Sequence, residues 1–297
     1  MTVTVQDAHE PGGSPAEPSI LPLVAADGAR SEGRLFAPAG AARAVALCLP
    51  AMGVEASYYD PFVRALAAGG VASLTVELRG NGSSSLRAGR GVDFGYRELV
   101  ELDVGTALAA ARERLPGPPI VLVGHSLGGH LAVLRAAMHP DEVAGIALIA
   151  AGTPYFRAYP GARQAYLLAG SLALRGLSAA LGYLPGRTVG FGGREARRLI
   201  AEWAHVARLG RFEFLGAPAN LPAAMAAVRL PVLALSMAED VLAPRNAVDH
   251  LAGMLPGAAL TTRHTARGEL GDGIDHFRWV RRPERIAAIV TDWIAGL

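Results

Sequence analysis

Residues 120–138, IVLVGHSLGGHLAVLRAAM, decide the fold, because a short apolar run leads through a glycine-rich turn into a helix-forming segment. The run 120–123 is typical of a buried strand, and residues 127–138 predict a helix that ends before Pro140. Between them lies the pattern G-x-S-x-G, with Ser126 at its centre. On such a sharp turn a serine hydroxyl is exposed at the sheet edge, and the flanking glycines allow helix and strand to approach closely. The pattern predicts Ser126 as a nucleophile; the alternative is a tight structural turn.

Strands and helices alternate on both sides of this turn. The predicted strands are residues 44–50, 71–78, 120–123, 143–150, 231–236 and 259–263. The predicted helices are residues 58–68, 96–115, 127–138, 246–254 and 284–294. This alternation is typical of βαβ units, and the strands are continuous apolar runs, as expected where both faces of a sheet are covered. We expect an α/β fold with a mostly parallel central sheet and helices on both faces.

One segment departs from the alternation. Residues 153–229 contain helical patterns but no clear strand, which predicts a helical cap inserted between two strands of the sheet. The core then consists of residues 20–152 and 230–297. Residues 1–19 contain three prolines and three acidic residues and no apolar stretch, and we expect a flexible tail.

Composition limits the class of protein. In a chain of 297 residues, 51% hydrophobic and 18% charged residues exclude global disorder. A single cysteine, Cys48, excludes an internal disulfide framework and a cysteine-rich zinc site. The net charge is +2 and the arginines are scattered, whereas nucleic-acid binders usually carry a dense basic stripe. We therefore expect no nucleic-acid partner.

The chain offers no clear signal for secretion or membrane insertion. Its longest stretch without Asp, Glu, Lys or Arg, residues 115–134, contains prolines, glycines and histidines and would be a poor membrane span. No apolar segment of a secretory signal is visible near the start. These features predict a cytoplasmic protein without stable membrane insertion. The oligomeric state cannot be read from the sequence.

A serine nucleophile needs a base and an acid to orient that base. His276, in the polar loop GIDHF after the last predicted strand, is the predicted base, with His264 in reserve. Asp240, in SMAEDVLAP, is the predicted acid, with Glu239 as its rival. The acid would hold the tautomer of the base and stabilise the imidazolium. Alternatively, His276 is an ordinary surface-loop histidine and Asp240 caps a helix.

The same chemistry needs donors for a developing oxyanion and a pocket for the substrate. The Leu127 backbone N–H, next after the nucleophile, is one predicted donor, and the Met52 backbone N–H is the other. Met52 alternatively only fills the core. Tyr155, Tyr166 and Leu168 are candidates for the wall of an acyl pocket, or else the inner face of packed cap helices.

Taken together, these motifs resemble those of the α/β-hydrolases. In chain order they are PAMGVEASYYDPF, VELRGNGSSS, GHSLGG, the Asp240 loop and the His276 loop, and the resemblance covers about residues 20–297. It is closest to the serine-aminopeptidase-like branch, which includes monoacylglycerol-lipase-like and many uncharacterised hydrolases. Where family members commonly have His-Gly, this chain has Pro50-Ala51. The resemblance also implies that the cap covers the active site.

The resemblance and the residues together predict a serine hydrolase. It would cleave an ester, thioester or amide of a small-molecule acyl substrate through an acyl-enzyme on Ser126, with no metal or organic cofactor. Two alternatives stay open at this point. One is a non-hydrolytic acyltransferase or lyase on the same fold, and the other is a catalytically silent binding protein, because a fold does not fix a function.

Overall fold

The computed structural model describes residues 17–271 and 273–297. Most of the expected tail, residues 1–16, lies outside the described residues. Ser19, the last residue of that tail, begins the first strand.

Eight strands form one central sheet, and two more form a small hairpin. The strands are β1 Ser19–Val24, β2 Arg30–Phe36, β3 Val45–Leu49, β4 Ala72–Val76, β5 Ile120–His125, β6 Gly145–Ile149, β7 Tyr183–Pro185, β8 Arg194–Ala196, β9 Pro231–Met237 and β10 Ala259–Thr265. The order in the sheet is β1-β2-β4-β3-β5-β6-β9-β10. From β4 to β10 all pairs are parallel, whereas β2 is antiparallel to both neighbours. The predicted mostly parallel sheet is confirmed.

Helices cover both faces of this sheet, as predicted. They are α1 Asp60–Ala68, α2 Gly105–Arg114, α3 Leu127–Met138, α4 Arg163–Leu181, α5 Gly186–Val189, α6 Arg197–Leu209, α7 Leu221–Ala227, α8 Arg245–Ala252 and α9 Glu284–Ala295. On one face, Leu108 of α2 and Leu131 of α3 belong to the larger apolar core. On the other, Phe62 of α1 and Ile286 of α9 pack with Trp279. Burial on both faces explains why the central strands are continuous apolar runs.

The sequence analysis missed β1 and β2. They pair antiparallel at one edge of the sheet. Four of the six residues of β1 are exposed and the strand contains Pro22, whereas β2 carries Arg30, Glu32 and Arg34, so neither looks like a buried central strand. A usable signal was the dipeptide Asp27-Gly28 between them, because Gly28 adopts φ +82° in the connecting turn. Such a turn favours glycine and is typical of hairpins.

The segment between β6 and β9, residues 153–229, is called the insertion below. The prediction that it contains no strand is wrong, because β7 and β8 pair antiparallel within it. Each has only three residues, too few to produce a recognisable period in the sequence. The main helices α4 and α6 pack on each other, and α7 packs on α3 of the core.

Helix α6 is tied to the core by buried polar contacts. The Glu202 carboxylate accepts the Tyr96 N–H at 2.7 Å, and Arg198 pairs with Glu98. Gly95 makes this approach possible, since a Cβ there would lie 2.3 Å from a Glu202 carboxylate oxygen. The insertion is therefore attached to the core through α6 as well as α7, whereas α4 packs on α6.

Candidate active site

Ser126 lies in the turn between β5 and α3, and its backbone is strained. Its φ of 52° and ψ of −116° are unusual for a residue other than glycine, and such strain often marks functional sites. The turn is so tight that a Cβ on Gly128 would lie 2.0 Å from the Leu49 carbonyl oxygen. A Cβ on Gly124 would lie 2.4 Å from the Gly129 nitrogen. The glycines of the motif thus have a steric reason, and they leave the Ser126 side chain partly exposed.

The structure brings the predicted base and acid together. His276 Nδ1 lies 2.8 Å from Asp240 Oδ2, and both side chains are buried. The other oxygen, Asp240 Oδ1, accepts the backbone N–H groups of Leu242 at 2.8 Å and Ala243 at 2.9 Å. These bonds orient the carboxylate, which leaves His276 Nε2 as the ring nitrogen for proton transfer. This is the arrangement that a Ser–His–Asp mechanism requires of its acid.

Neither rival has a comparable place. Glu239 is half-buried and lies 3.5 Å from exposed Arg267, so its carboxylate faces another loop. His264 lies on β10, at the edge of the sheet, with Nδ1 2.9 Å from the Ser236 hydroxyl. The sequence alone left both alternatives open, because the direction of the Glu239 side chain and the neighbours of His264 depend on the fold.

Both predicted oxyanion donors flank the elbow. Leu127 is the first residue of α3, where backbone N–H groups have no partner within the helix. Met52 follows β3, whose end lies against Gly128. None of the hydrogen bonds among residues 17–271 and 273–297 uses either N–H. Both donors are therefore available to an oxyanion, and the α3 dipole adds positive potential there.

Two buried residues that the sequence analysis did not single out connect the elements of the site. The Tyr59 hydroxyl accepts the Ala51 N–H at 2.9 Å and lies 2.7 Å from His125 Nδ1. The His125 ring, next to the nucleophile in sequence, packs 4.9 Å from the His276 ring, centroid to centroid. Burial, and then the neighbouring His276, hold the pKa of His125 well below its usual value. A neutral His125 adds no charge beside His276.

Glu77 holds the turn that carries Tyr59 through a hydrogen bond to the backbone. Its two carboxylate oxygens lie 3.3 and 3.2 Å from the Ala56 nitrogen and accept its N–H, at the beginning of the 3₁₀ turn Ala56–Tyr59. The Glu77 side chain is buried, and desolvation raises its pKa to about 7. The turn that positions Tyr59 thus rests on a carboxyl group that titrates near neutrality.

The hairpin of the insertion packs directly on the Met52 loop. A Cβ on Gly53 would lie 2.1 Å from the Gly193 nitrogen, so only glycine fits there. The Gly193 N–H donates to Glu195 Oε1 at 2.7 Å, which fixes the tip of the hairpin. An open groove of about 470 Å³ lies beside this contact, lined by Gly53, Val54, Glu55, Ser57, Tyr58 and Phe277. It therefore borders both the Met52 loop and the residue after His276.

The three predicted pocket residues of the insertion do not form one cluster. Tyr155 is half-buried and its ring packs 4.9 Å from that of His250. Leu168 is half-buried on α4, and Tyr166 on the same helix is 84% exposed.

Among residues 17–271 and 273–297 no group of three or more His, Cys, Asp or Glu side chains could hold a metal ion. In the described part of the chain, no helix has the length and apolarity needed to cross a membrane.

Comparison with known proteins gives two matches at the level of sequence. The family model for serine aminopeptidase, S33, matches residues 40–181. Monoglyceride lipase of Homo sapiens is 31% identical over 127 residues. That match covers 43% of this chain, and the chain spans 41% of the lipase's length.

Solved structures match over nearly the whole chain. A thermostable carboxyl esterase from Bacillus coagulans, in complex with glycerol, covers 95% of this chain and 99% of its own, with a TM-score of 0.66 and 15% identity. The esterase domain of a Rhodothermus marinus protein covers 94% and 98%, with a TM-score of 0.59 and 18% identity. At such identities the likeness shows the fold alone, and it is the fold that the sequence motifs predicted.

The elbow geometry predicts opposite effects for two glycine substitutions. Gly128→Ala places a methyl group 2.0 Å from the Leu49 carbonyl oxygen, and we expect a loss of about 3 kcal/mol or more in the free energy of unfolding. Gly170→Ala, in α4, meets no atom within 4 Å and should gain about 0.5–1 kcal/mol through helix propensity. Urea denaturation measures both. Equal effects of the two substitutions would contradict the packing argument.

The pKa of Glu77 predicts how stability changes with pH. Its folded-state value of about 7 exceeds the ordinary value of 4.5, so the folded protein binds more protons between these values. This contribution to stability is fully present below 4.5 and is lost as pH rises through about 7. Glu77→Gln should therefore gain stability relative to the parent as pH rises. Urea unfolding of Glu77→Gln and of the parent between pH 4.5 and about 7 tests this prediction, with the exposed Glu113→Gln as control. A difference in unfolding free energy between Glu77→Gln and the parent that does not change with pH would refute it.

Proposed function

Because this chain belongs to the α/β-hydrolase superfamily, we propose that it is a serine hydrolase that forms an acyl-enzyme on Ser126. The proposal is supported above all by the buried 2.8 Å contact of His276 with Asp240, in loops that follow the carboxyl ends of β10 and β9. Ser126 and Met52 follow the carboxyl ends of β5 and β3 in the same sheet. Ligands of open α/β sheets bind at this edge.

In the first half of the reaction, the Ser126 hydroxyl attacks the acyl carbonyl carbon. His276 Nε2 takes the hydroxyl proton, and Asp240 stabilises the imidazolium through Nδ1–H. The negative charge on the carbonyl oxygen is held by the N–H groups of Met52 and Leu127. The bond to the leaving group then breaks, and His276 returns its proton to the departing oxygen, sulfur or nitrogen.

In the second half, water replaces the leaving group. His276 takes a proton from the water as it attacks the acyl carbon, and the bond to Ser126 Oγ breaks with return of the proton. Because burial keeps His125 neutral, no second positive charge opposes the imidazolium at either stage. Every step uses groups of the chain itself, without a cofactor.

We propose a small-molecule ester as the substrate, with an apolar acyl chain of short to medium length. Support comes from the esterases and the monoglyceride lipase that resemble this chain. The insertion, as a cap over the core, would supply the half-buried Tyr155 and Leu168 to the acyl chain, and the groove at Phe277 would admit another part of the substrate. Tyr166, which is 84% exposed, is not part of this proposed pocket. We propose that the protein acts in the cytoplasm.

The proposal predicts that Ser126→Ala abolishes turnover while leaving the fold intact. Loss of the nucleophile lowers kcat by about 10⁶-fold in serine hydrolases, and His276→Ala should behave alike because the two act together. Ester hydrolysis and thermal unfolding are measured side by side, and a fluorophosphonate probe should label the parent only. Activity within about tenfold of the parent in Ser126→Ala would exclude the serine mechanism. A parent that is not labelled would instead support a silent binding protein.

The acid assignment predicts different effects for two adjacent carboxylates. Asp240→Asn should lower kcat by about 10⁴-fold with little change in KM, because an amide stabilises the wrong imidazole tautomer. Glu239→Gln is the matched control and should change kcat less than about threefold, since the half-buried Glu239 pairs with the exposed Arg267. Steady-state kinetics on one soluble ester decide between them. If the two results are exchanged, Glu239 is the acid.

A further inference from the structure

One continuous solvent-facing side of α4 has no charged residue. At 3.6 residues per turn, one side of this 19-residue helix carries eight exposed residues, namely Ala165, Tyr166, Ala169, Leu172, Ala173, Gly176, Ala179 and Ala180. Tyr166 is 84% exposed and Leu172 is 45% exposed. A surface helix normally turns charged or polar residues to solvent, so an outward apolar side indicates a partner that covers it.

The inner side of α4 is connected to the loop of Asp240. Leu167 of α4 packs against the cluster of Ala158, Tyr159 and Ala247, and the Tyr159 hydroxyl donates to the Leu242 carbonyl at 2.7 Å. Val241 and Leu242, in the loop of Asp240, are 52% and 55% exposed. Exposed apolar side chains thus occur both on α4 and on the loop that holds Asp240.

The charged residues in the segment that contains this surface are all positive. Residues 143–194 contain no aspartate or glutamate. Arg157, Arg163 and Arg175 are exposed, and no acidic side chain in the described part of the chain lies within 4 Å of them. Arg163 stands at the start of α4, and Arg175 at the border of its apolar side. The outward side of α4, apolar and flanked by arginines, is therefore complementary to a layer with an apolar interior and anionic groups at its surface.

We propose that the outward side of α4 docks on an anionic lipid surface. Helices of this kind lie flat in the interface, with the apolar side among the acyl chains and arginines at the head groups. A second copy of the chain is a poorer fit. A two-fold interface would place the same acid-free, arginine-bearing surface against itself, and like charges would repel. Anionic lipids are also those of the cytoplasmic leaflet.

Docking can be tested without turnover, and so separately from the proposed hydrolase activity. The full chain carrying Ser126→Ala is sedimented with phosphatidylcholine vesicles, with and without phosphatidylserine, at low salt and at about 0.15 M salt. We expect binding to the vesicles that contain phosphatidylserine, and weaker binding at the higher salt. Absence of binding at low salt overturns the proposal.

Two substitutions of equal exposure locate the surface. Leu172→Glu on α4 should weaken vesicle binding by at least about tenfold. Leu260→Glu is the matched control, because Leu260 is 46% exposed on β10, against 45% for Leu172, and it should bind like the parent. Replacing Arg163 and Arg175 by glutamine should weaken binding by about fivefold for each arginine. Equal effects of the two leucine substitutions would place the docking surface elsewhere.

Solution size separates the lipid surface from a protein partner. Sedimentation velocity should give a monomer for the parent and for Leu172→Glu alike. A dimer that Leu172→Glu converts to monomer would show that a second copy covers α4, and the proposal would be wrong. Hydrolysis of a soluble short-chain ester should be the same in Leu172→Glu and the parent, because Leu172 lies outside the site.

Discussion

The N-terminus of α3 lies in backbone contact with the end of β3, and the candidate site depends on this close approach. A Cβ on Gly128 would lie 2.0 Å from the Leu49 carbonyl oxygen, so the two elements can meet only at a glycine. The approach has two consequences. It holds Ser126 in a strained conformation with its side chain partly exposed, and it brings the Met52 loop, which continues β3, beside the Leu127 N–H. One steric condition therefore places Ser126, the proposed nucleophile, near the two proposed donors.

Buried polar groups then fix the remaining parts relative to this contact. Asp240 uses one oxygen for His276 and the other for two backbone N–H groups, so its orientation is fully determined by hydrogen bonds. Tyr59 joins the Ala51 N–H to His125, whose ring packs on His276. Because these groups are removed from water, an unpaired member would be costly, and the loops have little freedom to move independently.

The insertion combines a firmly attached part and an outer part. Glu202 and Arg198 tie α6 to the core, and the tip of the β7–β8 hairpin packs on Gly53. Helix α4 packs on α6 and turns an uncharged side to solvent. The attached part can thus stabilise the Met52 loop, whereas the outer part is available to a partner. In the two proposals, the insertion borders the candidate site through its hairpin and docks on a lipid surface through the outward side of α4.

The sequence by itself determined the parallel sheet, because residues such as those of β5 are buried on both faces and must be apolar throughout. It also predicted the elbow, since a glycine requirement is local. Only the tertiary structure revealed β1 and β2, which pair antiparallel at one edge of the sheet. It alone showed that Asp240 lies against His276, whereas the adjacent Glu239 lies against Arg267. It also revealed Tyr59 and His125, because contacts between residues distant in sequence leave no periodic signal.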